Sequence, residues 1–131
     1  MEIRYIELKT GYDDDGPAWV GKVKLSKSGR TVYFNDKAFR SCGGQGISGN
    51  YYDVETGEEY WISGVKRDGT DRHRAGSGRI IVQSSIVDEY LAVTGQFALR
   101  PSRYEIADIP EAYPIERVNR IGNEKLAPPT A

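Results

Sequence analysis

The 131-residue chain holds one cysteine, Cys42, and one histidine, His73. The single cysteine excludes an internal disulfide, and one residue of each kind leaves too few soft ligands for a tetrahedral zinc site. Long apolar runs are missing as well. The longest, such as Ile80 to Val82, are three or four residues, far short of the roughly 20 that a membrane helix requires. No apolar stretch follows Met1, so a reducing, cytoplasmic setting without membrane contact is expected. The net charge is −1, which excludes a uniformly basic nucleic-acid binder.

Aromatic residues, by contrast, are plentiful. Nine tyrosines, two tryptophans and three phenylalanines supply enough ring area for a core without cross-links. A chain of this size is one domain by expectation, burying roughly two-thirds of its unfolded surface in a single core. Charge is unevenly spread along it. Residues 42–62 carry four acidic groups and no basic one, whereas residues 63–81 carry five basic and two acidic groups. A locally basic face therefore stays open.

Short β-favouring runs separated by turn residues dominate the local pattern. "EIRYIELK" reads as a first strand, "PAWVGKVKL" follows the loop "DDDGP", and "RTVYFN" follows "SKSG". Three strands in the first 35 residues predict a meander. After the glycine-rich "SCGGQGISGN", "YYDV" and "EYWISGV" flank "ETGE" as a hairpin, with Thr56 and Gly57 forming the turn and Gly57 taking positive φ. "GRIIVQ" is the next strand. The one helix candidate is "SSIVDEYLAVTG", with Ser85 and Asp88 spaced as a capping box. Ile86, Tyr90 and Val93 share a face there, and Gly95 stops the helix.

From Arg100 onward, prolines 101, 110, 114, 128 and 129 interrupt the ladder, although "SRYEIADI" can form a last edge strand. The expected organisation is a β-rich domain over residues 1–99 and a Pro-interrupted extension over 100–131 that ends in the frayed "NEKLAPPTA". The expected fold class is mainly β. It is a small antiparallel bent sheet, or a partly open barrel of SH3-like or OB-like size, with one short helix. A flat two-layer α+β arrangement is the alternative.

The runs "RYIELKTGYDDDGPAWVGKV", "YFNDKAF" and "SGNYYDVETGEEYWISGVKRDGTDRHRAGSGRI" resemble a family of small bacterial proteins. Automatic labelling sometimes calls these 1-deoxy-D-xylulose-5-phosphate synthase. That synthase holds thiamine diphosphate through a GDG stretch followed by an asparagine, between large α/β domains. No GDG occurs in this chain and no alternating βα units are readable, so the label transfers no residue and no cofactor.

Gly44, Gly46 and Gly49 satisfy G-x-G-x-x-G, but β-like "NYYDV" follows where a dinucleotide site needs a helix N-terminus, so a mobile glycine loop is expected. Asp13, Asp14 and Asp15 are adjacent rather than alternating, which suits a solvated turn better than a calcium loop. Cys42 and His73 lack a third orienting residue, and Cys42 is expected to be idle. An enzyme built on this chain would use Asp71 and His73 as its acid and base.

The densest signal is "VKRDGTDRHRAGSGR". Lys66, Arg67, Arg72, His73, Arg74 and Arg79 stand among Gly69, Gly76 and Gly78, a composition that exposes cationic side chains and backbone N–H groups to phosphate oxygens. Tyr51, Tyr52, Tyr60 and Trp61 lie on neighbouring predicted strands, where alternation turns some rings outward as a stacking platform. The opposing reading makes these rings core and pairs the basic groups with Asp53, Glu55, Glu58 and Glu59. The expected function is a non-enzymatic binding module that contacts single-stranded RNA or DNA, or another polyanion, through 65–79. The alternative is a module binding a protein partner, or itself, through 100–118 and the acidic hairpin.

Overall fold

The computed structural model describes residues 2–9, 17–42, 49–67 and 79–119. Strands β1 (Glu2–Leu8), β2 (Ala18–Leu25), β3 (Thr31–Phe34), β4 (Lys37–Ser41), β5 (Tyr51–Asp53) and β6 (Glu59–Gly64) pair antiparallel in chain order. Then β6 returns to β1, with Ile6 opposite Ile62. The meander therefore closes on itself as a six-stranded antiparallel barrel. Two further strands, β7 (Ile80–Gln83) and β8 (Tyr104–Ala107), extend it as parallel neighbours of β2 and of each other.

Turn chemistry explains the short connections. Between β3 and β4 only Asn35 and Asp36 intervene, at φ 50° and 59°, the left-handed pair that matches the twist of a two-residue hairpin. Gly57 turns β5 into β6 at φ 79°, and buried Asp53 fixes that turn by accepting hydrogen bonds from the N–H of Glu55 at 2.8 Å and of Thr56 at 3.3 Å. Asn50 extends the β5 edge with its side chain. Its amide donates to the Ile62 carbonyl at 2.7 Å and accepts from the Ile62 N–H at 2.8 Å, in the manner of a peptide group.

Alternation along the strands gives three apolar clusters. Ile6, Val23, Val32, Phe34, Phe39, Tyr60 and Ile62 point inward and fill the barrel. On the outer wall, Tyr5, Ala18, Val20, Ile80, Val82 and Tyr104 lie beneath Ile86 and Tyr90 of the helical segment between β7 and β8. That segment is a single 3-10 turn (Ser84–Ile86) running into α1 (Val87–Thr94). On another sector of the wall, Tyr33 and Ala38 are covered by Val118, with Tyr113 and Ile115 packed beside them.

Two details of the expected helix are corrected. The residue preceding α1 is Ile86, and no side chain caps that N-terminus, because the chain enters α1 from the 3-10 turn rather than from a Ser85 cap. Val93 is 39% exposed, while Ile86 and Tyr90 face the sheet as expected. Gly95 closes the helix at φ 68°.

Strand β2 is shared between neighbours. Along one edge, Ala18–Val20 pair with β7 and Lys24–Leu25 pair with β3. The gap between them is bridged by Gln83, 2% exposed, whose side-chain oxygen accepts from the Lys22 N–H at 2.7 Å while its amide donates to the Ile109 carbonyl at 3.1 Å. Gly21 sits in that gap because a Cβ there would lie 2.4 Å from Phe34 Cε1 and 2.9 Å from Gln83 Oε1.

Residues 108–119 return over the barrel. Asp36 N–H donates to the Ala112 carbonyl at 2.7 Å, and a turn of helix over residues 115–119 seats Val118 at 1% exposure. Arg117 straddles two hairpin turns, bidentate to Glu55 at 2.8 and 3.0 Å and also bonded to the Asp36 carboxylate and carbonyl. The hydrogen bonds to Glu55 hold its guanidinium above the usual range.

Candidate surface site

Among the described residues, inward-facing side chains occupy the barrel. The cavity among Ile6, Trp19, Phe34, Asn35, Lys37, Phe39 and Tyr60 measures about 10 Å³, the space of a single water.

The four candidate rings divide between the two sides of the wall. Tyr51 faces Tyr60 across the β5–β6 pair, on the inner side, and both pack with the interior cluster. Tyr60 is 3% exposed and its ring lies 4.6 Å from that of Phe39. Burial, helped by Glu58 and Asp53, pushes its phenol up to about 12. A ring held in this way has no face to offer an external base, and Tyr60 is withdrawn from the stacking set. Tyr52 and Trp61, one residue further along each strand, face outward, and Trp61 is 42% exposed.

Around Trp61 the register assembles a small outward-facing group. Tyr52 stands opposite Arg40 on one side and Glu59 on the other, which makes Trp61 its diagonal neighbour. Glu7 lies opposite Trp61 on β1. That carboxylate is 2% exposed and fully engaged: it accepts from the Tyr5 hydroxyl and, at 2.8 Å, from the Lys9 ammonium. Its charge is thus neutralised within the wall. The α1 and 108–119 segments pack on other sectors of the wall, over the clusters of Tyr5 and of Tyr33.

Lys66 and Arg67 continue from the end of β6 and are exposed, and Arg79 is exposed where the chain enters β7, reaching the Pro101 carbonyl at 3.4 Å. Arg72, His73 and Arg74 lie outside the described residues, as do Asp71, Asp13 to Asp15, Gly44 and Gly46. Gly49 has a structural duty: a Cβ there would lie 2.7 Å from the Tyr60 carbonyl oxygen, so a side chain would push the incoming chain off β6. Cys42 is half-buried, and its N–H donates to the Asn50 carbonyl at 2.9 Å.

Sequence reasoning missed three contributors. Arg40 belongs to β4, a strand not foreseen, and the preceding Asn35-Asp36 pair was the available signal for it. The Glu7–Lys9 pair reads in sequence as strand-end charge. Asn50 reads as a loop residue, and its pairing with Ile62 depends on the fold.

Among the described residues, no group of three or more His, Cys, Asp or Glu side chains could hold a metal ion, and no helix is long and apolar enough to cross a membrane. Comparison with protein-family models, with curated proteins and with solved structures finds no match.

Proposed function

We propose that the protein is a non-enzymatic binding module that takes single-stranded nucleic acid on the outer wall of β4, β5 and β6. The observation that carries this reading is Trp61, a tryptophan 42% exposed on a strand and flanked by an outward Tyr52. Every base presents a π-face, and each base–aromatic stack contributes on the order of 1–3 kcal/mol. Arg40 stands beside the rings, while Lys66 and Arg67 lead from β6 into the basic stretch that ends at Arg79. Rings bind bases and cations bind the connecting phosphates. The filled barrel interior supports a surface role over enclosure of a small ligand.

The test is fluorescence anisotropy of a labelled, mixed-sequence oligonucleotide at several salt concentrations. Wild-type binding should weaken steeply as salt rises, since phosphate contacts release condensed counterions. Trp61→Ala should weaken binding roughly tenfold or more while leaving the salt slope unchanged. Replacing Arg72 and Arg74 together should lower the slope by about 1.4, from about 0.7 per single-strand phosphate contact. No binding at low salt, or binding that ignores Trp61, would overturn the proposal.

A further inference from the structure

Strand β8 ends the sheet, and its outer edge has no strand partner among the described residues. The Ile80 N–H donates to the Arg103 carbonyl at 2.9 Å, so the parallel ladder turns the backbone groups of residues 103, 105 and 107 toward β7. Those of Tyr104 and Ile106 consequently face away from the sheet, and the Tyr104 N–H is taken by the Arg100 carbonyl. Soluble proteins usually guard such an edge with a proline, a lysine or a bulge. Tyr104–Ala107 contains no proline or lysine and leaves Ile106 at 55% exposure. Nearby, Gln96 donates to the Tyr104 hydroxyl at 3.4 Å, and the next residue, Phe97, is fully exposed.

We propose that this edge pairs with β8 of a second copy of the chain, antiparallel about a two-fold axis through Ile106. Charge selects the occupant. The chain around β8 is basic before the strand, at Arg100 and Arg103, and acidic after it, at Asp108, which also accepts from the Ser84 hydroxyl, whereas Glu111 is paired with Lys22 at 3.0 Å. A two-fold antiparallel pairing sets the basic end of each copy against the acidic end of the other, twice over. Backbone direction then selects the register. Outward-facing groups must meet outward-facing groups, which allows Ile106 opposite Ile106 of the second copy or Glu105 opposite Glu105. The second opposes like charges. The first exchanges the Ile106 N–H and carbonyl with those of the second copy and buries the two isoleucine side chains against each other. It also sets Glu105 across from Ala107.

The experiment is sedimentation equilibrium of the full chain over a range of concentrations, at low and high salt. Wild type should show a monomer–dimer equilibrium that weakens with salt. Ile106→Lys should raise the dissociation constant by at least about tenfold, with an unchanged circular dichroism spectrum, since the side chain is more than half exposed. Arg103→Glu should weaken association, and adding Asp108→Arg should restore it, a recovery that loss of folding would not give. A monomeric wild type at the highest concentration, a dimer indifferent to Ile106→Lys, or failure of the charge-reversed pair to recover would each overturn the proposal.

Discussion

Replacing Gly21 by alanine perturbs the point where β2 changes partners, and the cost can be worked from contacts already described. The added methyl group would meet Phe34 Cε1 at 2.4 Å and Gln83 Oε1 at 2.9 Å, both well inside van der Waals contact. Neither neighbour moves freely, because Phe34 is 2% exposed within the barrel and Gln83 is tied to Lys22 and Ile109. Overpacking of this kind costs about 1–3 kcal/mol. Displacing the Gln83 oxygen would also weaken its bond to the Lys22 N–H, for about 1 kcal/mol more. Against this, alanine restricts the unfolded chain and returns about 0.4–1 kcal/mol. The net expectation is a loss of about 2–3 kcal/mol, or a Tm lower by roughly 8–12 °C for a domain of this size. Denaturant unfolding of wild type and Gly21→Ala measures it directly. The control is Phe34→Leu in the Gly21→Ala background, where the shorter side chain should recover part of the loss. A Gly21→Ala protein within about 0.5 kcal/mol of wild type would refute the steric account of the branch point.

Three further outcomes follow from the packing. The Tyr60 phenol, raised to about 12 by burial, binds its proton more tightly folded than unfolded. Its contribution is therefore complete below about pH 10 and is lost as pH rises toward 12, a fall of about 2–3 kcal/mol that denaturant titration should show in wild type and find reduced in Tyr60→Phe. Val118→Ala, at a site 1% exposed where the returning chain packs on Tyr33 and Ala38, should cost about 2 kcal/mol and increase hydrogen exchange at the Asp36 amide, which bonds to Ala112. Cys42→Ser should change stability by less than about 1 kcal/mol, since the thiol is only half-buried and the backbone bond from Cys42 to Asn50 does not depend on the side chain.

Much of the meander was legible because its signals are local. Strands β1, β2, β3, β5, β6 and β7 fall where alternation and turn residues placed them, and Gly57 takes the positive φ assigned to it. Strand β4 escaped because "KAFRS" is short and charged, although Asn35-Asp36 is a hairpin signal. Closure of β6 on β1 was not legible, since nothing local in Ile6 or Ile62 encodes a partner more than fifty residues away. Strand β8 falls within the expected edge strand "SRYEIADI", but its parallel pairing with β7 escaped for the same reason. The site was half legible. Alternation requires Tyr60 and Trp61 to face opposite ways, but only the closed barrel decides which ring is buried. Ser85 resembled a cap because its spacing to Asp88 fits one, and the preceding 3-10 turn removed the extended geometry a cap needs.

The central claim is that the Trp61 wall, and not another face, receives single-stranded nucleic acid. The most direct measurement is a two-dimensional ¹⁵N NMR titration of the full chain with a short unlabelled single-stranded oligonucleotide at low salt. The Trp61 indole resonance and the amides of Arg40, Tyr52, Lys66 and Arg67 should shift along saturable curves, while the indole of Trp19, packed with the barrel interior, and the amides of Glu105 and Ile106 stay in place. Shifts that leave Trp61 unmoved, or that gather on β8, would contradict the account.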